Sequence, residues 1–185
     1  TDAIHLRIKL PKCAWFAHSQ QHAPKTLKAD KIFDASTQAF EVLGAFIGED
    51  KAVAARLAKE ISSSTKACFE RVRDLDGQEG LIVLKQCIVP KMSYLIRTHR
   101  PELTREATRV FDTAVRETLE WFADAQLDSR ACDIASIPTQ LGGLGITPAG
   151  MIAPAAYAAS LEAAAVDLKL PPADFKAALD KVASQ

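Results

Sequence analysis

The hydrophobic period changes along the chain. Ile4, Leu6, Ile8 and Leu10 alternate with His5, Arg7 and Lys9, the two-residue repeat of a strand with one buried face. Pro11 ends it. Residues 17–31 are polar, with His18, His22, Pro24 and several lysines, and read as a loop. Residues 40–47 form a short apolar run broken by Gly44, which predicts a tight hairpin or a bulged strand. From Asp50 the repeat lengthens. Val53, Leu57, Ile61 and Thr65, then Cys68 and Val72, recur every three or four residues and define one helix face, with Asp50 as its cap.

Gly77 and Gly80 read as a connection. Residues 81–94 predict a second helix, with Pro90 a kink or break and His99-Arg100-Pro101 its end. Residues 102–125 predict the longest helix, striped by Phe111, Val115, Leu119 and Phe122. After a glycine-rich segment, Thr147-Pro148 reads as a cap followed by proline at the first helical position. The helix from there to about Val166 is alanine-rich, and Ala155, Ala159 and Ala163 would admit a close neighbour. Pro171-Pro172 opens a last short helix with Phe175, Leu179 and Val182 inward. The expected fold is mainly α: a bundle of about five helices preceded by a small β element, a strand plus a hairpin.

Composition sets bounds on this picture. The 185 residues suit one domain, or one with an appendage. An apolar share of 48% supports a core, and a charged share of 25% is that of a soluble surface. Formal net charge is zero, so attraction to nucleic acid must rest on local patches. No apolar run approaches the roughly 20 residues of a membrane span, and residues 1–11 lack the basic start and apolar run of a signal peptide. No membrane partner is expected. Without an initiator Met the chain reads as a fragment or a processed form. Cys13, Cys68, Cys87 and Cys132 are scattered, which suits reduced, intracellular packing cysteines.

The neutral total hides local asymmetry. Lys85, Lys91, Arg97, Arg100, Arg105 and Arg109, with His99, face only Glu102 and Glu106 in that stretch. The start is also basic, with Arg7, Lys9, Lys12, Lys25, Lys28 and Lys31 against Asp2 and Asp30. Residues 112–133 are acidic: Asp112, Glu117, Glu120, Asp124, Asp128 and Asp133 against Arg116 and Arg130. A basic side can track a phosphate backbone; a mixed solvated surface has the same composition.

Discrete chemistry is sparse. His5, Cys13, His18 and His22 are zinc-type ligands, but no Cys-x-x-Cys pair accompanies them, which favours a solvated polar loop. Leu141-Gly142-Gly143-Leu144-Gly145 precedes a helix and could offer amides to an anion. It has no following lysine and no preceding long strand, so it reads as a turn packed among Leu141, Leu144 and Ile146. No Ser/His/Asp or Cys/His arrangement stands out, and the chain does not read as a self-sufficient enzyme.

Four segments, in order, resemble the downstream part of the reverse transcriptases of LINE-like, non-long-terminal-repeat retroelements. Residues 6–13, LRIKLPKC, look like the strand after the catalytic aspartates (motif D), with Leu10-Pro11 where Asn or Asp is common. Residues 42–48, VLGAFIG, look like the primer-grip hairpin. Residues 81–98, ending PKMSYLIRT, look like the thumb helix that carries proline, tyrosine and arginine. Residues 137–146, IPTQLGGLGI, look like the glycine segment that follows the thumb. The resemblance covers roughly residues 4–165. It divides the chain into an end of palm with primer grip (1–48), a thumb-like bundle (49–136), and a glycine turn with C-terminal helices packed on the bundle (137–185).

The resemblance implies roles for particular residues. Lys12 would be the motif-D general acid that protonates the departing pyrophosphate. Leu43, Gly44 and Ala45 would hold the primer end, and Lys85, Lys91, Arg97 and Arg100 would face the template–primer backbone. The implied partners are RNA, an RNA–DNA hybrid or a primer–template duplex. The family's paired aspartates, which hold magnesium, are absent: the chain has no Asp-Asp pair, and Asp74-Leu75-Asp76 is in the wrong place. The chain alone is expected to bind no cofactor and to be inactive, although the parent would be an RNA-directed DNA polymerase. The alternative is a domesticated remnant, a scaffold or RNA-binding subunit of a larger ribonucleoprotein. The first reading implies a nuclear or cytoplasmic location and the second an organellar one. A helical protein–protein module without nucleic acid is the third possibility.

Overall fold

The computed structural model describes residues 14–17, 31–34 and 37–169. The strand expected over Ile4 to Leu10, the histidines at 5, 18 and 22, Cys13, Lys12 and the helix expected after Pro171 lie outside those residues. The chain divides into two compact units, with the boundary after Val53.

The described residues of the first unit form two strand pairs. β1 (Ala14–Ala17) pairs in parallel with β2 (Lys31–Asp34), with Ala14 opposite Lys31. Ala17 and Lys31, expected in a loop, are therefore strand residues. β3 (Ala39–Val42) and β4 (Ala45–Gly48) form an antiparallel hairpin in which Val42 faces Ala45 across a two-residue turn. Of the two forms the sequence allowed at Gly44, the hairpin is the one adopted.

α1 (Asp50–Arg73) begins at this unit's end and runs into the second. Its start is capped by Glu49, whose Oε2 accepts the Ala52 N–H at 2.8 Å, so the cap precedes the expected Asp50 by one residue. Leu57, Ile61, Thr65, Phe69 and Val72 are buried, while Cys68 is only half-buried. The face thus takes the i+4 step at Phe69 rather than the i+3 step at Cys68, and Phe69 meets Phe111 edge-on at 5.6 Å.

The second unit is mainly α. Counting α1, the described residues hold five helical segments, the second of them interrupted. α2 (Gly77–Val83) starts where a connection was expected, so Gly77 and Gly80 are helical. Gly80 is buried because the Phe122 ring lies 2.3 Å from where a Cβ would stand. A π turn (Leu84–Ile88) follows, closed by the Val89 N–H bond to the Leu84 carbonyl at 2.9 Å. α3 (Lys91–Thr98) then starts after Pro90. Proline has no N–H to donate and crowds the preceding turn, so the wider turn lies just ahead of it.

α4 (Pro101–Ala123) carries the core stripe. Phe111, Val115 and Leu119 are buried as expected, and Phe122 is half-buried. Thr104, Thr108 and Thr118 are buried too, and they return their hydroxyls to the Pro101, Arg105 and Ala114 carbonyls at 3.2, 3.0 and 2.8 Å. Burial of those oxygens is tolerated because each is bonded to the preceding turn. The Trp121 indole donates to the Arg73 carbonyl at 3.2 Å, tying α4 to the end of α1.

α5 (Ser129–Ser136) was not legible in the sequence; Asp128 caps it by accepting the Ala131 N–H at 2.7 Å. A single 3-10 turn (Thr139–Leu141) and the glycine segment lead to α6 (Ala149–Asp167), which packs on α3 and α4. Its buried residues are Ala149, Ala153 and Ala165, whereas Ala155, Ala159 and Ala163 are exposed. By length and composition alone α6 is long and apolar enough to cross a membrane, and 17% of the relevant stretch is buried.

Candidate nucleic-acid interface

The hairpin tip is built by backbone geometry. Leu43 and Gly44 have φ of 52° and 82°. Positive φ at both central residues is the type I′ turn, whose twist matches that of the flanking strands. Gly44 adopts it without a steric penalty, whereas Leu43 does so against its Cβ. Leu43 is 93% exposed, so the tip presents an apolar side chain to solvent. Ala45 begins β4 and is half-buried.

The four cations named by the resemblance are distributed over the second half of the broken helix and its end. Lys85 lies in the π turn; its Nζ is 3.0 Å from where a Cβ on Gly145 would stand, so the ammonium covers that glycine. Lys91 opens α3, is exposed, and donates from Nζ to Cys68 Sγ on α1 at 3.2 Å. Arg97 is exposed in the last turn of α3, and Arg100 is half-buried just before α4. Arg97 lies six helical steps beyond Lys91, about 9 Å along the axis and roughly 120° around it. The cations therefore reach different neighbours: Lys85 the glycine segment, Lys91 the surface of α1.

Several charges of α1 and α4 are engaged internally. Arg109 grips Glu106 through two bonds, of 2.6 and 2.9 Å. That ion pair holds the Glu106 carboxyl below its ordinary range and raises Arg109. Arg73 meets Glu117 at 3.6 Å. Glu120 accepts the Leu127 N–H at 3.1 Å and Arg116 Nε at 3.0 Å, and the Leu127 bond, then Arg116, pull its carboxyl down. Arg116 also donates to the Leu127 carbonyl at 2.6 Å. The acidic stretch read from the sequence is thus largely a set of caps and clasps.

Asp112 is the clearest case. Its two oxygens accept the Ala149 and Gly150 N–H groups at 2.8 and 2.9 Å, closing the start of α6 from α4. Thr147, the expected cap, does not fill that role. Burial pushes the Asp112 carboxyl up, while the Gly150 and Ala149 bonds pull it down, and burial wins. Beside it lies a recess of about 370 Å³, with Val89, Val115, Leu119 and Ile146 forming apolar walls.

The glycine segment folds onto the end of α5. Gly145 N–H donates to the Ile137 carbonyl at 2.8 Å and Ile146 N–H to the Ala135 carbonyl at 3.0 Å. Ile146 is buried, but Leu141 is 76% exposed and Leu144 also faces solvent, so only one of the three expected apolar anchors packs inward. Among the described residues no three His, Cys, Asp or Glu side chains could hold a metal. Asp74 lies just past α1 and Asp76 just ahead of α2, on the connection between the two helices. These residues do not fit the magnesium chemistry of a polymerase. No known family, curated protein or solved structure matches this chain.

Proposed function

We propose that this chain is a nucleic-acid-gripping module of reverse transcriptase type, the C-terminal part of a larger protein whose catalytic aspartates lie elsewhere. The observation that carries the reading is the order of parts: a tight glycine hairpin with an exposed tip, directly followed by a helical bundle. The exposed Lys91 and Arg97 on α3 support it, because neither is paired with a carboxylate by any described contact. A helix surface with such cations attracts phosphates by releasing counterions. The expected ligand is RNA, an RNA–DNA hybrid or a primer–template duplex.

A second reading, a scaffold or RNA-binding subunit of a ribonucleoprotein, draws on α6. Met151, Ile152, Val166 and Leu168 stand exposed along and just past that helix, a surface that suits a protein partner. The deciding experiment is a titration of the chain with an RNA–DNA hybrid across salt concentrations. Gripping predicts affinity that falls steeply with salt, and a slope shallower by about 1 in Lys91→Gln and again in Arg97→Gln. Absence of binding at low salt defeats the gripping reading and directs the search to partner proteins.

A further inference from the structure

Cys68 and Lys91 lie on different helices, 23 positions apart in the chain, yet Lys91 Nζ stands 3.2 Å from Cys68 Sγ. The sulfur in turn directs its S–H toward the Ser64 carbonyl at 3.7 Å. An amine within one contact distance of a solvent-reachable thiol is uncommon chemistry to leave idle. Cys87 is more exposed, and Cys132 is half-buried like Cys68, but neither has a described amine contact. We propose that Cys68 and Lys91 are a redox-responsive pair that joins α1 to the start of α3 when a hydroperoxide oxidises the thiol.

Two steps account for every atom. Hydrogen peroxide transfers one oxygen to the Cys68 thiol, giving the sulfenic acid; sulfur is oxidised by two electrons and the peroxide leaves as water. The Lys91 ammonium first gives one proton to solvent, and the neutral amine then attacks that sulfur. An S–N bond forms, the S–O bond breaks, and the hydroxyl leaves with a second nitrogen proton as water. The product is a sulfenamide between the two side chains. The lysine's four-carbon stem supplies the remaining approach. Proximity decides the outcome: the nitrogen is already in place when the sulfenic acid forms, whereas further oxidation needs a second peroxide from solution. A thiol reverses the bridge by attacking its sulfur, which restores the lysine amine and leaves a mixed disulfide that a second thiol reduces.

The test is treatment of the full chain with one equivalent of hydrogen peroxide, followed by intact mass and peptide mapping. The expected product is lighter by two hydrogens, its cross-linked peptides contain Cys68 and Lys91, and dithiothreitol restores the starting mass. Lys91→Met and Cys68→Ser are expected to lose this product entirely. Lys91→Arg, which keeps charge and length without the nucleophilic amine, is expected to lose it too and separates capture from simple electrostatics. A Cys68 that gains only oxygen, equally in the native chain and in Lys91→Met, overturns the proposal. So does a Cys68 that remains a thiol or forms a disulfide between chains.

Discussion

Leu43 holds a backbone conformation that L-residues avoid, with φ of 52°, at the most exposed point of the hairpin. Left-handed geometry costs a side-chain-bearing residue roughly 1–2 kcal/mol, and glycine escapes that cost. Leu43→Gly is expected to stabilise the fold by up to about 1 kcal/mol in urea titration, since glycine also gains unfolded-state entropy. If the tip grips a primer, the same change weakens hybrid binding; a stabilised variant with unchanged affinity removes Leu43 from the interface. The glycine segment gives a second contrast. A Cβ at Gly143 would stand 2.0 Å from the Ile137 carbonyl oxygen and 2.5 Å from that of Ile134, both backbone atoms. A Cβ at Gly142 meets open space, although its φ is 89°. Gly143→Ala is expected to cost about 3 kcal/mol or more, and Gly142→Ala roughly 1–2 kcal/mol. Reversed ranks in thermal and urea unfolding would refute that assignment. Both glycines stood out in the sequence, but which is required by crowding and which by φ depends on carbonyls fixed only by the fold of α5.

At the scale of elements, periodicity carried the long helices because a 3.6-residue stripe must face a core whatever covers it. It failed where a partner far along the chain makes the decision. The cap of α6 comes from Asp112, 37 positions before Ala149, so no local pattern near Thr147 could reveal it. α5 is short and held by its Asp128 cap and by the glycine segment, and Cys132 and Ala135 alone make a poor stripe. The π turn follows from Pro90, which was visible, but a proline does not say whether the helix kinks, ends or widens. Asp112→Ala is expected to cost about 1 kcal/mol and to speed amide exchange at Ala149 and Gly150 before the rest of α6. The pH dependence runs opposite to that of a salt-bridged acid. The folded Asp112 carboxyl titrates above its unfolded value, so its contribution is fully present below the unfolded value and is lost as pH rises through the folded one. The native chain should therefore gain on Asp112→Asn as pH falls through the carboxylate range. A native chain that instead loses ground to Asp112→Asn over that range would mean the two amides outweigh burial.

The whole molecule is neutral, and its fold explains how neutrality is arranged. Asp112, Glu117, Glu120 and Asp128 are turned to caps and clasps, and Arg73, Arg109 and Arg116 answer Glu117, Glu106 and Glu120. Charge counting along the sequence saw a basic stretch over 85–109 and an acidic one over 112–133, yet within the second unit most of the acidic residues, and Arg109 of the basic ones, are engaged. What remains for a phosphate backbone is set by exposure and pairing rather than by composition, and Lys91, Arg97 and Arg105 meet that condition while Arg109 and Arg116 do not. This distinction makes a test that a uniformly basic surface would fail. Under the proposed function, neutralising Lys91 and Arg97 together lowers hybrid affinity and the salt slope. Neutralising Arg109 and Arg116 leaves the slope close to native and instead loosens the connection from α4 to α5, read as earlier unfolding. Equal loss of slope from both pairs would mean that the ion pairs open on binding and that the whole of the basic stretch meets the nucleic acid. Loss from the second pair alone would move the interface from α3 to the exposed side of α4.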